Sequence, residues 1–436
     1  MMPDSPDRLF VPSEDVAVLL NAALDVYERR TPSPPQPPAF GGMRGVRPIK
    51  ILLRELTLPG YFSQLDPNPR LIANEQLQTL EQAGLLRLKW EAGERGHLLE
   101  GVYLPPANAA PIFHLLNRTP ASDHRARLED RIRGELFRFP DGRPRRALQH
   151  VLRQLKSEKS AAPFILTDPE FNQDLLAALS ALAGVEPETP YRVFSVRVFN
   201  NSKRFEDLKR ALVRLACLGQ PEWRSLEGVE VLRELNLVPN PGYLYLSGPW
   251  QMVDEWGQVL SLGEFSPAVG LPAAQAARLQ QVKVLHAVQI LCVENATPFY
   301  ELIRNTDYGI RNTEHGLPLA LLCLWGNPSP SCRHLLRRLV ETLPDTVPLQ
   351  VWADLDFGGF NILAQLREQV SPRFAPYRMD IETLEAHARW ARPLTKADER
   401  NLKRIARHPA LADVQPAIYH LLKCGLKLEQ EAIRLF

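Results

Sequence analysis

The stretch Val351-Trp352-Ala353-Asp354-Leu355-Asp356-Phe357-Gly358-Gly359-Phe360 decides how the chain is read. Its apolar first half has the character of a buried strand, two aspartates follow two residues apart, and glycines lead into a helix expected over 360–369. Successive strand side chains alternate faces, so Asp354 and Asp356 share one face with their Cα atoms about 6.6 Å apart. Carboxylates so placed suit one hard divalent cation, Mg²⁺ or Mn²⁺, which takes oxygen ligands and keeps several waters for a phosphate. Gly358 and Gly359 are expected to let the backbone turn tightly ahead of the helix. An acidic pair at a strand end also caps helices while binding nothing, so the pair alone leaves both readings open.

Working outward, 288–293 forms a second buried-strand pattern that ends in Glu294, with Asn295, Thr297 and Pro298 opening a helix through Arg304. Between the two lies a third such strand, 317–325, which ends in Gly326-Asn327-Pro328-Ser329 and precedes the amphipathic helix 331–343. Apolar runs without alternation suit parallel strands covered on both faces by helices. Ligands of such sheets gather beyond the carboxyl ends of the strands, where the strand order switches. Glu294, the 326–329 loop, Asp354 and Asp356 all fall there. Three converging carboxylates would repel a phosphate unless a cation screens them, so a metal is required if the site handles DNA.

A glutamate on one strand followed by D-x-D on a later one resembles the Toprim domain of topoisomerases, primases and some nucleases. Its acidic positions carry over as Glu294, Asp354 and Asp356. Val293-Glu294-Asn295-Ala296-Thr297-Pro298-Phe299, the 354–363 segment, Arg378-Met379-Asp380 and Leu428-Glu429-Gln430-Glu431-Ala432-Ile433 together resemble the JetD family, nuclease subunits of the Wadjet anti-plasmid systems, which are similar to the A subunit of topoisomerase VI. The resemblance is specific over 285–436 and looser over 190–250. It implies an α/β multi-domain protein: winged-helix N-terminal regions followed by a C-terminal Toprim domain with a parallel-stranded, Rossmann-like sheet. It also implies Mg²⁺- or Mn²⁺-dependent hydrolysis of plasmid DNA, with an SMC-type ATPase complex (SMC, kleisin and accessory subunits) as partner. In the topoisomerase relatives a winged-helix tyrosine attacks DNA. Tyr191 is the tyrosine near the matching segment, and the JetD family lacks that nucleophile.

The domain boundaries that follow are 1–38 for an N-terminal helix and proline-rich linker, 39–110 for a winged-helix-like domain and 111–160 for an arginine-rich helical connector. A second, CAP-like winged-helix domain covers 161–270, and the Toprim catalytic domain covers 271–436. Within these, an amphipathic helix over 11–30 stops at the polyproline-type spacer 32–38. Helices are expected over 49–56 and 73–83, with strands over 85–90 and 98–104. Residues 118–160 carry Arg143, Arg145 and Arg146 among many other basic residues, on two helices separated by Pro140-Asp141-Gly142. Such a run either tracks a phosphate backbone or forms a salt-bridged face with Glu129, Asp130 and Glu135. A strand is expected over 192–199, then a turn at Asn200-Asn201 and a helix capped by Ser202. Arg192, Arg197, Lys203 and Arg204 are the candidate phosphate contacts there. Glu429 and Glu431, two apart on an expected terminal helix, do not easily face one point.

A net charge of +2 over 436 residues means that any nucleic-acid role rests on local patches. The 39 prolines favour stiff loops and frequent helix stops. Five cysteines without C-x-x-C spacing suggest neither a zinc cage nor a disulfide framework. The histidines do not cluster, and no Walker A pattern occurs, so ATP hydrolysis would fall to a partner. No leader-like or membrane-length apolar run is present, which predicts a cytoplasmic protein. Because one such site cuts one strand of an antiparallel duplex, a two-fold homodimer on double-stranded DNA is the economical working unit. Two alternatives remain: a topoisomerase VI A-like transesterase using a tyrosine, and a non-enzymatic winged-helix DNA-binding regulator whose α/β domain senses a ligand. A dehalogenase-like phosphatase places D-x-D early in its chain, and a nucleotide-sugar transferase leaves the winged-helix pattern unexplained.

Overall fold

The computed structural model describes residues 10–30, 47–286, 289–307 and 319–433. The spacer at 32–38 and His315 lie outside them. The chain forms two compact units, one of residues 1–176 with 214–220, the other of 177–213 with 221–436.

The C-terminal unit is built on a six-stranded sheet. In chain order its strands are β1 (Tyr243–Ser247), β2 (Val269–Pro272), β3 (Gln289–Val293), β4 (Leu319–Cys323), β5 (Leu349–Trp352) and β6 (Ala375–Pro376). They lie side by side as β6-β5-β3-β4-β1-β2. The four from β6 to β4 run parallel, and β1 and β2 extend the sheet antiparallel. The helices Ala296–Asp307 (α1), Pro330–Val340 (α2) and Phe357–Gln369 (α3) follow β3, β4 and β5. The unbroken apolar runs that predict two-sided burial hold: Ile290 to Val293, Ala320 to Cys323 and Val351 to Ala353 are all buried. Trp352, Phe360 and Phe299 are among the largest fully buried side chains of this core. From β3 the chain passes to β4 on one side, then returns to place β5 on the other. The order therefore reverses between β3 and β5, where Glu294 and Asp354 emerge. Because β1 and β2 belong to the same sheet, a domain boundary at 270/271 would cut through β2 and separate β1 from the strands it pairs with.

Helix 191–199 corrects the strand expected over 192–199. Its aromatic and β-branched residues suggest a strand, yet Tyr191, Phe194 and Ser195 are the buried positions, a helical three- and four-residue spacing. Asn200 ends the helix in the left-handed conformation. The amide of Lys203 donates to Asn201 Oδ1 at 2.9 Å, closing the turn expected at Asn200-Asn201, and the following helix, Arg204–Gly219, puts Lys203 and not Ser202 at its N-cap position.

In the N-terminal unit, helix 14–30 and helix 68–82 pack with an antiparallel sheet of strands 49–52, 99–104 and 87–90, in that order. The strands near 85–90 and 98–104 agree with expectation, and the helix expected over 49–56 is a strand over its first four residues. Ile49 is buried while Lys50 is exposed, and register against Leu104 to Gly101 supplies the main-chain partners that a short β-branched segment lacks alone. Two helices, Ala121–Leu136 and Gly142–Lys156, occupy the arginine-rich segment. Among the described residues no helix is long and apolar enough to cross a membrane.

Gly359 is required by crowding and not by an unusual φ. A Cβ there would lie 2.0 Å from the carbonyl oxygen of Asp354, whereas one on Gly358 would meet Asp356 Oδ1 at 3.1 Å. Gly359→Ala is therefore expected to lower stability by about 2 kcal/mol or more, seen as a fall in Tm. Gly358→Ala should be clearly milder, and equal losses would contradict the close approach described here.

Candidate functional site

Beyond β5 the chain stays extended through Asp354-Leu355-Asp356. Leu355 is fully buried and the aspartates on either side are partly exposed, so the two carboxylates share one face as their spacing predicts. Asp356 is the N-cap of α3, accepting from the amide of Gly359 at 3.0 Å. The capping role is thus real, and it uses Oδ1 alone. Glu294 follows β3, where its amide donates to Trp352 O at 2.9 Å. Its Oε2 accepts from the amide of Asp354 at 2.9 Å. Glu294, Asp354 and Asp356 are thereby brought together at the sheet's switch point.

The third wall comes from the C-terminal end of the chain. Leu355 and Leu428 exchange main-chain hydrogen bonds of 2.9 and 3.2 Å across an isolated antiparallel bridge. That bridge seats Gln430, which is fully buried and bonds three ways. Its amide donates to Asp354 Oδ1 at 2.7 Å, its Nε2 donates to Trp352 O at 3.0 Å, and its Oε1 accepts from the amide of Asn295 at 3.0 Å. Asn295 Nδ2 also approaches Asp354 Oδ1 at 3.4 Å. The segment expected to be a terminal helix is a short strand, Leu426–Lys427, followed by a 3-10 turn over Gln430–Ala432. The antiparallel pairing of that strand with Arg392–Pro393 and the Leu355 bridge draw it out of helical form. Glu429 forms an ion pair with Arg392, and Glu431 adds its charge near Glu294 and Asp354.

Burial and crowding of like charges set the acidities. Burial first, then the neighbouring Asp354 carboxylate, push the Glu294 carboxyl up to about 8. Burial likewise pushes Asp354 up to about 7, opposed by the Gln430 amide and assisted by Asp356, Glu431 and Glu429. Each of the three carboxylates keeps one oxygen, Glu294 Oε1, Asp354 Oδ2 and Asp356 Oδ2, without a hydrogen bond among the described residues. The donor set is all hard oxygen and suits a divalent cation. As oriented, however, no three His, Cys, Asp or Glu side chains among the described residues form a group that could hold a metal ion. Engaging one requires the free oxygens to turn inward.

The remaining candidates lie elsewhere. Arg145 donates to the carbonyls of Leu136 and Phe139, and Arg146 to that of Gly219. Arg133 pairs with Glu129 and Asp130, and Arg138 with Glu135, so the salt-bridged reading accounts for much of that face. Arg143 lies at the start of helix 142–156, where a Cβ on Gly219 would come within 2.2 Å of its carbonyl oxygen. Arg192, Arg197 and Lys203 are exposed along helix 191–199 and its following turn, and Arg204 approaches Asp207 at 3.6 Å. Tyr191 is 7% exposed and its hydroxyl has no hydrogen-bond partner among the described residues. Cys292, Cys323 and Cys332 are buried free thiols, with Cys332 pushed up to about 12 by burial.

Two comparisons bear on this arrangement. Residues 264–435 match the family described as "Wadjet protein JetD, C-terminal". The C-terminal region of the chain is thus similar to the C-terminal region of the JetD family. Wadjet protein JetD of Bacillus cereus (strain Q1) is 25% identical over 378 residues, 86% of this chain and 88% of that protein. The JetD C-terminal region so matched contains Glu294, Asp354, Asp356 and Gln430, along with strands β2 to β6. Gln430 and Asn295 lie in the stretches that carry the family resemblance, yet nothing in those stretches marks a role for them. Their contact with Asp354 spans 76 and 59 residues of chain and has no local signature.

The acidities predict a specific pH dependence. Without divalent cation, folded Glu294 and Asp354 carry protons at pH values where the unfolded chain, with ordinary values of 4.5 and 3.8, has lost them. The folded state then binds more protons than the unfolded state, so stability falls as pH rises from about 4 toward about 8. Thermal melts in EDTA should show that decline. Glu294→Gln keeps an acceptor for the Asp354 amide and cannot ionise, so it should flatten the curve; a Tm that rises over the window would refute this account.

Proposed function

We propose that the chain is a divalent-metal-dependent DNA endonuclease acting as the nuclease subunit of a Wadjet-type anti-plasmid system. The observation that carries this reading is the meeting of Glu294 with Asp354-x-Asp356 at the switch point of a parallel sheet, inside a region that is similar to the C-terminal region of the JetD family. On this reading the C-terminal sheet is a Toprim domain, and the helix-and-hairpin assembly of the N-terminal unit is a winged helix. The relative's name ties that protein to Wadjet, which supports an SMC-type ATPase complex as partner here. Double-strand cutting would pair two copies about a two-fold axis.

Asp354 and Asp356 would hold the cation through their free oxygens, with Glu294 beside them. Bound Mg²⁺ or Mn²⁺ supplies charge stabilisation at the scissile phosphate and at the departing oxygen. The Gln430 and Gly359 amides fix the inner oxygen of each aspartate, so the outer oxygens can turn without loss of the loop. Glu294, raised to about 8, holds a proton near neutral pH and is the group suited to hand one to a leaving oxygen. Hydrolysis fits better than attack by tyrosine. Tyr191 packs beside Phe205, with ring centroids 5.5 Å apart, and burial raises its phenol above its ordinary range.

Asp356→Asn keeps a cap acceptor and removes the charge. It is expected to reduce Mg²⁺-dependent nicking of plasmid DNA by about 100-fold or more, while Asp356→Ala adds loss of the cap, about 1 kcal/mol of stability. Cleavage by folded Asp356→Asn at the parent rate would dismiss the site. Tyr191→Phe should cut within about twofold of the parent and leave free DNA ends. Denaturant-resistant DNA attached to the parent protein and absent from Tyr191→Phe would replace hydrolysis with transesterification.

A further inference from the structure

One strand away from the carboxylates, on the other side of β3, a cavity of about 300 Å³ opens between the ends of β4 and β1. Its rim is aromatic. Tyr245 on β1 lies 5.7 Å from Trp325, and Tyr243 and Trp325 are each about half exposed. Large exposed rings gathered around one opening are unusual for a surface that only meets water.

Trp325 also sits in a conformation that its side chain disfavours. Its φ is +57°, in the left-handed region where a bulky residue is held at a cost of about 1 kcal/mol or more. The surroundings enforce it. The next amide, Gly326, donates to the carbonyl of Glu294 at 3.1 Å, and Asn327 Nδ2 donates to Glu230 Oε1 at 2.6 Å. Arg333, in a buried pair with Glu234 at 2.8 Å, donates to the carbonyl of Pro328. The loop that presents the indole is thus tied directly to the backbone of a candidate catalytic residue.

The polar lining is asymmetric. Glu188 is buried, and both its oxygens already accept, from the Gly242 amide at 3.2 Å and the Ser331 hydroxyl at 3.3 Å. Arg233 forms no ion pair or side-chain hydrogen bond among the described residues and lines the same cavity. Aromatic faces with one uncommitted guanidinium are the chemistry of a nucleotide seat, since rings stack on any base and arginine takes the phosphate.

We propose that this cavity seats one unpaired nucleotide of a DNA strand, its base against Trp325 and Tyr245 and its phosphate on Arg233. The inference rests on the endonuclease reading and deepens it: the enzyme would hold a frayed, gapped or extruded base beside the scissile bond. Preference for locally unpaired DNA would then be a property of this chain.

The test is binding of fluorescein-labelled DNA to the full chain in EDTA, where no cutting can occur. A fully paired duplex is compared with the same duplex carrying a central three-nucleotide gap. The parent is expected to favour the gapped DNA about tenfold. Trp325→Ala should remove most of that preference and Trp325→Phe keep most of it, with paired-duplex affinity unchanged in both as the control for folding. Arg233→Gln should lower gapped-DNA affinity several-fold. A parent without the preference, or a Trp325→Ala variant that retains it, overturns the proposal. If that happens while Mg²⁺-dependent nicking of plasmid persists, the nucleotide seat alone fails; if no DNA is bound or cut, the endonuclease reading fails with it.

Discussion

Everything at the candidate site depends on holding carboxylates close together where water is scarce. Glu294 and Asp354 are mostly buried, the Asp354 carboxylate raises the affinity of Glu294 for protons, and Asp356 and Glu431 add to the repulsion at both. What offsets this is a set of main-chain donors. The amides of Asp354, Gln430 and Gly359 each give a hydrogen bond to one carboxylate oxygen. Such charge-assisted bonds are stronger than neutral ones, and their donors are fixed by the sheet, the C-terminal bridge and the first turn of α3. The rest of the C-terminal unit can be understood as the framework that keeps those three amides in place.

Two features make the framework intolerant of change. Gly359 lets the start of α3 lie against the Asp354 carbonyl, a distance at which no side chain fits. Gln430 closes the opposite side with three hydrogen bonds while fully buried. Removing its side chain would leave the Asn295 amide unsatisfied, at about 1–3 kcal/mol, while the Trp352 carbonyl would keep the Glu294 amide. Strand 426–427 and the turn over 430–432 are therefore part of the site's wall, although Gln430 lies 76 residues along the chain from Asp354.

The core of the site is legible in sequence because its signals are local. The run 351–360 contains the apolar strand, the paired aspartates and the glycine, and strand alternation correctly places both carboxylates on one face. Apolar runs at 289–293 and 319–323 likewise predict parallel strands, since burial on both faces leaves no polar alternation. The errors fall where tertiary partners decide. Ile49 to Leu52 is a strand only because 99–104 lies beside it, and 191–199 is a helix although its β-branched residues favour extension. Gln430 is uninformative in isolation, because nothing near it in sequence indicates that its amide will meet Asp354. The arginine-rich segment misleads in another way: charge density is visible, but the use of Arg145 and Arg146 to satisfy main-chain carbonyls is not.

That use of arginines shifts the electrostatic argument toward the cluster itself. With much of the 118–160 face internally paired and a net charge of only +2, long-range attraction for a polyanion is modest. On the proposed reading, the cation therefore serves twice, as chemistry and as the positive charge that lets phosphate approach five acidic residues, Glu294, Asp354, Asp356, Glu429 and Glu431. Ligation needs Asp354 ionised, and burial pushes its carboxyl up to about 7. Cation uptake and proton release are then one equilibrium: the empty cluster is kept tolerable by protons, and the loaded cluster by metal. On the proposed reading, such a site becomes competent for phosphate only when the cation arrives.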